Sequence, residues 1–206
     1  MFDEPGETDS QVSGSRSGPT TAGRPRLVVL SGPSGVGKTS VVAYVRLLLP
    51  AVFVSISVTT RAPRPGELDG SHYRFVDDET FDAMLTGGQL LEHAEYAGKR
   101  YGTPRAPVED ALAAGRPALL EIEVQGARQV RAAMPAALLV MLTPPSWPAL
   151  VERLTARGTE PADVLDRRLR AAREELSAAG EYDRTVVNDD VRVAAATLVA
   201  LLTGQC

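Results

Sequence analysis

Thiols, imidazoles and aromatic rings are scarce in this 206-residue chain. The single cysteine, Cys206, is the last residue, so thiols can build neither a disulfide framework nor a zinc cluster. His72 and His93 are the two histidines. A lone histidine in a strand or loop is ordinarily a partly buried polar residue, and neither is assigned a catalytic role. Long apolar runs are missing as well: Ala136–Leu142, the longest strongly apolar stretch, falls far short of the ~20 residues that span a bilayer. The N-terminal segment lacks the basic-then-apolar build of a signal peptide. Positive charge is not in excess, and the formal net charge of −4 argues against a general affinity for nucleic acid or anionic membrane. A reducing, cytoplasmic setting is the expectation. Oligomeric state is left open.

What is present suits one α/β domain. Hydrophobic residues make up 44% and charged residues 23%, and a chain of this length buries enough apolar surface to fold without staples. Residues 1–25 contain fourteen Gly, Ser, Thr or Pro and no apolar periodicity, so they are expected to form a disordered tail. Asp3, Glu4, Glu7 and Asp9 argue against a transit peptide there. From Arg26 onward, short apolar runs alternate with helical periodicity. The pattern predicts strands at Leu27–Leu30, Val52–Val58, Tyr73–Val76, Leu90–Tyr96, Lys99–Tyr101, Ala118–Glu123, Ala137–Leu142 and Thr185–Val187. Helices are expected between them, near 38–49, 78–86, 108–114, 127–133, 146–156, 161–179 and 190–202. Such alternation indicates a doubly wound parallel sheet covered on both faces. Residues 55–107 interrupt it and are read as a lobe inserted over the sheet's carboxyl edge, where ligands bind in such folds.

Gly32-Pro33-Ser34-Gly35-Val36-Gly37-Lys38-Thr39 matches the phosphate-loop pattern G-x-x-x-x-G-K-[ST] in full. Glycines let consecutive backbone N–H groups turn inward onto phosphate oxygens, and the helix that starts there adds its positive end. Lys38 is placed to reach the β- and γ-phosphates of ATP, and the Thr39 hydroxyl to ligate Mg²⁺. A chance match has odds of about one in a hundred for average usage in a chain this long. The strand before the loop and the helix after it lower those odds further.

The inserted lobe concentrates groups suited to a second phosphate. Arg61 and Arg64 stand three apart beside prolines, and guanidinium forks pair with phosphate through two parallel bonds. Tyr73 and Tyr101 offer phenolic donors. Taken alone, these residues also suit a solvated loop.

Thr59-Thr60-Arg61-x-Pro63-Arg64-x-Gly66-Glu67-x-x-Gly70-x-x-Tyr73-x-Phe75, with the phosphate loop upstream, resembles guanylate kinase. The likeness continues, in the family's order, through Leu91–Tyr96, Tyr101–Pro104, Gln125–Ala127, Arg157–Glu160 and Val187–Asp190. It implies a P-loop kinase fold comprising residues 26–206, with a GMP-binding lobe over about 55–107 and a helical lid over about 153–173. It implies that Arg61, Arg64, Tyr73 and Tyr101 hold the phosphate of GMP, and that Ser57, Glu92 and Thr103 read guanine. Guanine offers N1–H and an exocyclic amine side by side, and one carboxylate accepts both, whereas adenine presents a lone pair at N1. Arg157 and Arg168 are expected on the ATP phosphates, with Arg153 near the adenine or its phosphates. Asn188 is expected to contact adenine or, equally, to cap the last helix. By this resemblance Lys38, Arg61, Arg157 and Arg168 are the catalytic groups, and the partners are ATP and GMP.

The chain departs from the family at one place. Related enzymes usually carry aspartates where this chain has Glu121 and Glu123, and often a tryptophan where it has Val124. Glu121 is assigned to the acceptor site. Three other readings stay open: a kinase of the same architecture with another acceptor, a non-catalytic scaffold that binds phosphopeptides, and a simple NTP hydrolase.

Overall fold

The computed structural model describes residues 26–96, 98–156 and 162–205. The tail expected over 1–25 and Arg157, expected in the lid, lie outside them.

Five strands form the central sheet: β1 (Leu27–Ser31), β2 (Phe53–Val54), β7 (Ala118–Glu121), β8 (Leu138–Thr143) and β9 (Arg184–Val187). Their order is β2-β7-β1-β8-β9, and every neighbouring pair is parallel. Parallel strands are buried on both faces, and β1 shows why its residues are apolar without interruption. Val28 and Leu30 pack into one core, and Leu27 and Val29 into the other. The first core is closed by α1 (Lys38–Leu48), α5 (Trp147–Thr155), α6 (Ala162–Ser177) and α7 (Val191–Thr203). The second is closed by α3 (Arg105–Ala113) and α4 (Val124–Ala133). Fully buried leucines such as Leu30, Leu119 and Leu142 each contribute about 1.5–3 kcal/mol by leaving water. The doubly wound α/β reading therefore holds.

A second sheet carries the inserted residues. It contains β3 (Val58–Thr59), β4 (Arg74–Phe75), β5 (Leu90–Tyr96) and β6 (Lys99–Pro104), in the order β4-β3-β6-β5. Helix α2 (Asp78–Thr86) covers it with Phe81 and Met84, and Asp77 caps that helix by accepting from the Thr80 N–H at 2.8 Å.

The expected strand at Val52–Val58 is in fact two. The Ser55 N–H still bonds Leu119 of the central sheet at 3.0 Å, whereas the Ser57 carbonyl accepts from Arg74 of the second sheet at 2.9 Å. The chain changes sheets between these residues, and a local propensity cannot show which partner a strand will find. Helix α3 starts three residues earlier than expected. Pro107 sits in its first turn, where a missing N–H costs nothing. The last expected strand and helix are present, with Asp190 as the N-cap of α7, its carboxylate accepting from Arg192 and Val193.

Candidate active site

The phosphate loop leaves β1 at Ser31 and enters α1 through Gly37, whose φ of 97° lies in the left-handed region. A side chain there would meet the Asn188 amide at 2.6 Å, so both the conformation and the close approach require glycine. No side chain caps α1, and its first N–H groups remain available to an anion. The loop is braced from behind. Asn188, nearly fully buried, donates its amide to the Val36 carbonyl at 2.7 Å, and Arg153 donates to Val36 and to the Asn188 carbonyl at 3.4 and 3.0 Å. Asn188 thus lies behind the loop, and the helix-capping role considered for it belongs to Asp190.

Lys38 donates to the Gly32 carbonyl across the loop, and Arg168 of α6 reaches the Ser34 hydroxyl at 2.8 Å. Other arginines of these helices do different work. Arg167 and Arg170 pair with Asp163 and Asp166, each at 3.0 Å and one helical turn away, and Arg173 lies over the Trp147 ring.

Parallel pairing sets Leu30 beside Glu121, level with the strand end that feeds the loop. From there Glu121 accepts the Thr39 hydroxyl at 3.0 Å, although 82 positions separate them. Burial raises the Glu121 carboxyl above its usual value, while Lys38 and Thr39 oppose the shift. Glu123 is the N-cap residue of α4, and it lies against Glu175 of α6. Burial and that neighbour hold Glu175 well above the carboxylate range, and one of its oxygens is buried without a partner.

One cavity of about 680 Å³ joins these elements to the second sheet. Lys38, Thr39 and Glu121 line it on one side, and Ser57, Arg61, Arg64, Tyr73, Glu92 and Tyr101 on the other. Thr103 is not part of the lining. It is fully buried behind Glu92 and donates its hydroxyl hydrogen to that carboxylate at 2.6 Å. The two face each other across β5 and β6, where a bulge between Leu90 and Glu92 shifts the register. Burial pushes the Glu92 carboxyl up, and the Thr103 bond favours its ionised form.

Arg61 packs over Tyr73 and Phe75, its guanidinium carbon 5.2 and 5.7 Å from the ring centres, and Tyr73 meets Tyr101 edge-on at 6.0 Å. Sequence reasoning assigned no role to Glu67, which grips Arg61 through both carboxylate oxygens and accepts from the Arg64 backbone. The signal available for it was an acidic residue three positions beyond an Arg-Pro turn. Glu175 gave no signal in the sequence, because only the tertiary fold brings this α6 side chain to Glu123 at the start of α4.

A family model described as guanylate kinase matches residues 24–205. The chain belongs to the guanylate kinase family. A guanylate kinase of Streptomyces coelicolor is 60% identical over 178 residues, covering 86% of this chain and 90% of that protein. One from Frankia casuarinae is 61% identical over 179 residues, covering 87% and 97%. Among solved structures, guanylate kinase from Anaplasma phagocytophilum superposes with a TM-score of 0.71 at 32% identity, covering 90% of this chain and 89% of that one. Among the described residues, no helix is long and apolar enough to cross a membrane.

Proposed function

We propose that this protein transfers the γ-phosphoryl group of ATP to GMP, reversibly, giving ADP and GDP. The observation that carries the reading is the single cavity lined by Lys38 and Thr39 on one side and by Arg61, Tyr73 and Glu92 on the other. A simple hydrolase would have no need of the second wall, and a phosphopeptide scaffold would have no need of an intact phosphate loop.

The reaction asks little covalent help of the protein. A phosphate oxygen of GMP attacks the γ-phosphorus in line, and the bond to the bridging oxygen of ADP breaks. No serine or histidine intermediate is required, because the acceptor oxygen is already anionic. Lys38, the loop amides and the α1 N-terminus neutralise the migrating group, aided by Arg168 and by Arg157 of the lid. Arg61 and Arg64 hold the acceptor phosphate with the Tyr73 and Tyr101 hydroxyls. Glu67 occupies three of the Arg61 and Arg64 donors, and Arg61 also interacts with the Tyr101 side chain, so that both groups face the same phosphate. Glu92 accepts the guanine N1–H and amine, with Ser57 beside it and Thr103 fixing the carboxylate. Arg153 and Asn188 serve ATP by fixing the Val36 carbonyl.

Mg²⁺ suits the hard oxygen donors here: the Thr39 hydroxyl would be its protein ligand, with Glu121 orienting that hydroxyl. When bound, the ion supplies charge neutralisation to the β- and γ-phosphates. The remaining ligands would come from phosphate and water, as is usual for this ion. A cytoplasmic setting fits these substrates.

The test is ADP formation from Mg·ATP with GMP, AMP, CMP and UMP offered separately. Turnover with GMP alone is expected. Activity on AMP with indifference to GMP would sink the role of Glu92. Silence with all four, despite ATP binding, would favour the scaffold.

A further inference from the structure

Gly126 is the third residue of α4, and its backbone is ordinary helix. Nothing in that conformation calls for glycine, and alanine would favour the helix by about 1 kcal/mol. The reason for glycine lies outside the helix. A β-carbon at position 126 would fall 2.3 Å from Oε2 of Glu92 and 2.9 Å from its carboxyl carbon. The same carboxylate is held on its other side by Thr103, which bonds Oε1 at 2.6 Å. Glu92 is therefore clamped between a hydroxyl and the bare backbone of Gly126.

The helix is not free to withdraw and make room. One turn further along the same face, Gln129 grips the β5 backbone twice. It accepts from the His93 N–H at 3.0 Å and donates to the His93 carbonyl at 2.7 Å. Position 126 is thus locked close to the strand that carries Glu92. The carboxylate also lies against the first turn of α4, whose positive end favours its ionised form.

We infer that Gly126 is a positioning residue for base recognition, setting where the Glu92 carboxylate meets guanine and so how well the enzyme tells GMP from other monophosphates. The inference rests on the proposed guanine-reading role of Glu92 and extends it to a residue that touches no substrate. With alanine at 126, the flexible end of Glu92 is what yields. The fold and the phosphate loop stay, and the carboxylate moves off the N1–H and amine of guanine.

The experiment compares Gly126→Ala with the unaltered protein on GMP and IMP, which lacks the exocyclic amine. The kcat/KM ratio of GMP to IMP should fall at least about tenfold, because a site built on hydrogen bonds discriminates by them. Mg·ATP affinity and the melting temperature in its presence should stay within the error of the unaltered protein. A merely structural defect would lower both substrates and ATP binding together. Gly126→Ala should also have little effect in a Glu92→Ala background, where the carboxylate it displaces is gone. An unchanged GMP to IMP ratio in Gly126→Ala overturns the inference. If Glu92→Gln also leaves that ratio unchanged, the guanine-reading role falls as well; if it collapses the ratio, only the role of Gly126 falls. Should Gly126→Ala not fold by itself, the double variant with Glu92→Ala decides: failure to recover the fold overturns the clamp.

Discussion

The guanidinium of Arg61 makes two parallel hydrogen bonds to Glu67, from Nη1 to Oε2 at 2.9 Å and from Nη2 to Oε1 at 3.0 Å. Both side chains are largely shielded, and the Glu67 carboxyl is held at about 2, chiefly by that pairing. The pair fixes the direction of the arginine, which the proposed reaction assigns to the acceptor phosphate. Glu67→Ala should free Arg61 and raise KM for GMP by about tenfold, the scale expected when a charge-assisted hydrogen bond is lost. KM for ATP should change little. Steady-state kinetics with each substrate varied in turn would decide, and an equal rise for both would remove the orienting role.

Asn188 and Val36 form the corresponding brace on the ATP side. Replacing Asn188 by alanine strips the buried Val36 carbonyl of its 2.7 Å partner and leaves the longer Arg153 bond. A stability loss of about 1–3 kcal/mol is expected, the usual cost of an undersatisfied buried polar group. ATP affinity should weaken while GMP affinity holds. Chemical denaturation and separate titrations of the two nucleotides measure these quantities.

Glu175 sets a pH dependence of stability. Its carboxyl is raised from 4.5 to about 8, by burial first and then by Glu123, with Lys38 opposing. The Tyr182 hydroxyl also senses it. The folded state binds this proton more tightly than the unfolded chain does. The contribution is therefore complete below 4.5 and is lost as pH rises through about 8. Glu175→Gln keeps a neutral side chain at every pH, so the variant should gain melting temperature over the native protein as pH rises from 5 to 9. Parallel curves for the two proteins would remove the effect.

The phosphate loop was legible because its chemistry is local. A glycine-rich turn between an apolar strand and a helix needs only neighbouring residues to create its N–H cradle. Strand β1 was legible for the same kind of reason, since an unbroken apolar run is what burial on both faces demands. The sheet change between Ser55 and Ser57 was not, because the bonds that define it go to Leu119 and Arg74. Thr103 was placed with the guanine readers by resemblance. The register of β5 and β6 sets it behind Glu92, where its hydroxyl serves the carboxylate.

The sequence by itself determined that this protein has a doubly wound α/β core, a phosphate-binding loop and an intervening stretch rich in arginine and tyrosine. Each follows from spacing and side-chain chemistry within a short stretch of chain. Tertiary structure decided which groups act on which. Thr39 with Glu121, Glu92 with Gly126, Val36 with Asn188 and Glu123 with Glu175 are partners from distant segments. Strand register and helix docking brought them together, because the range of a hydrogen bond or a steric clash is a few ångströms in space and has no counterpart in sequence distance.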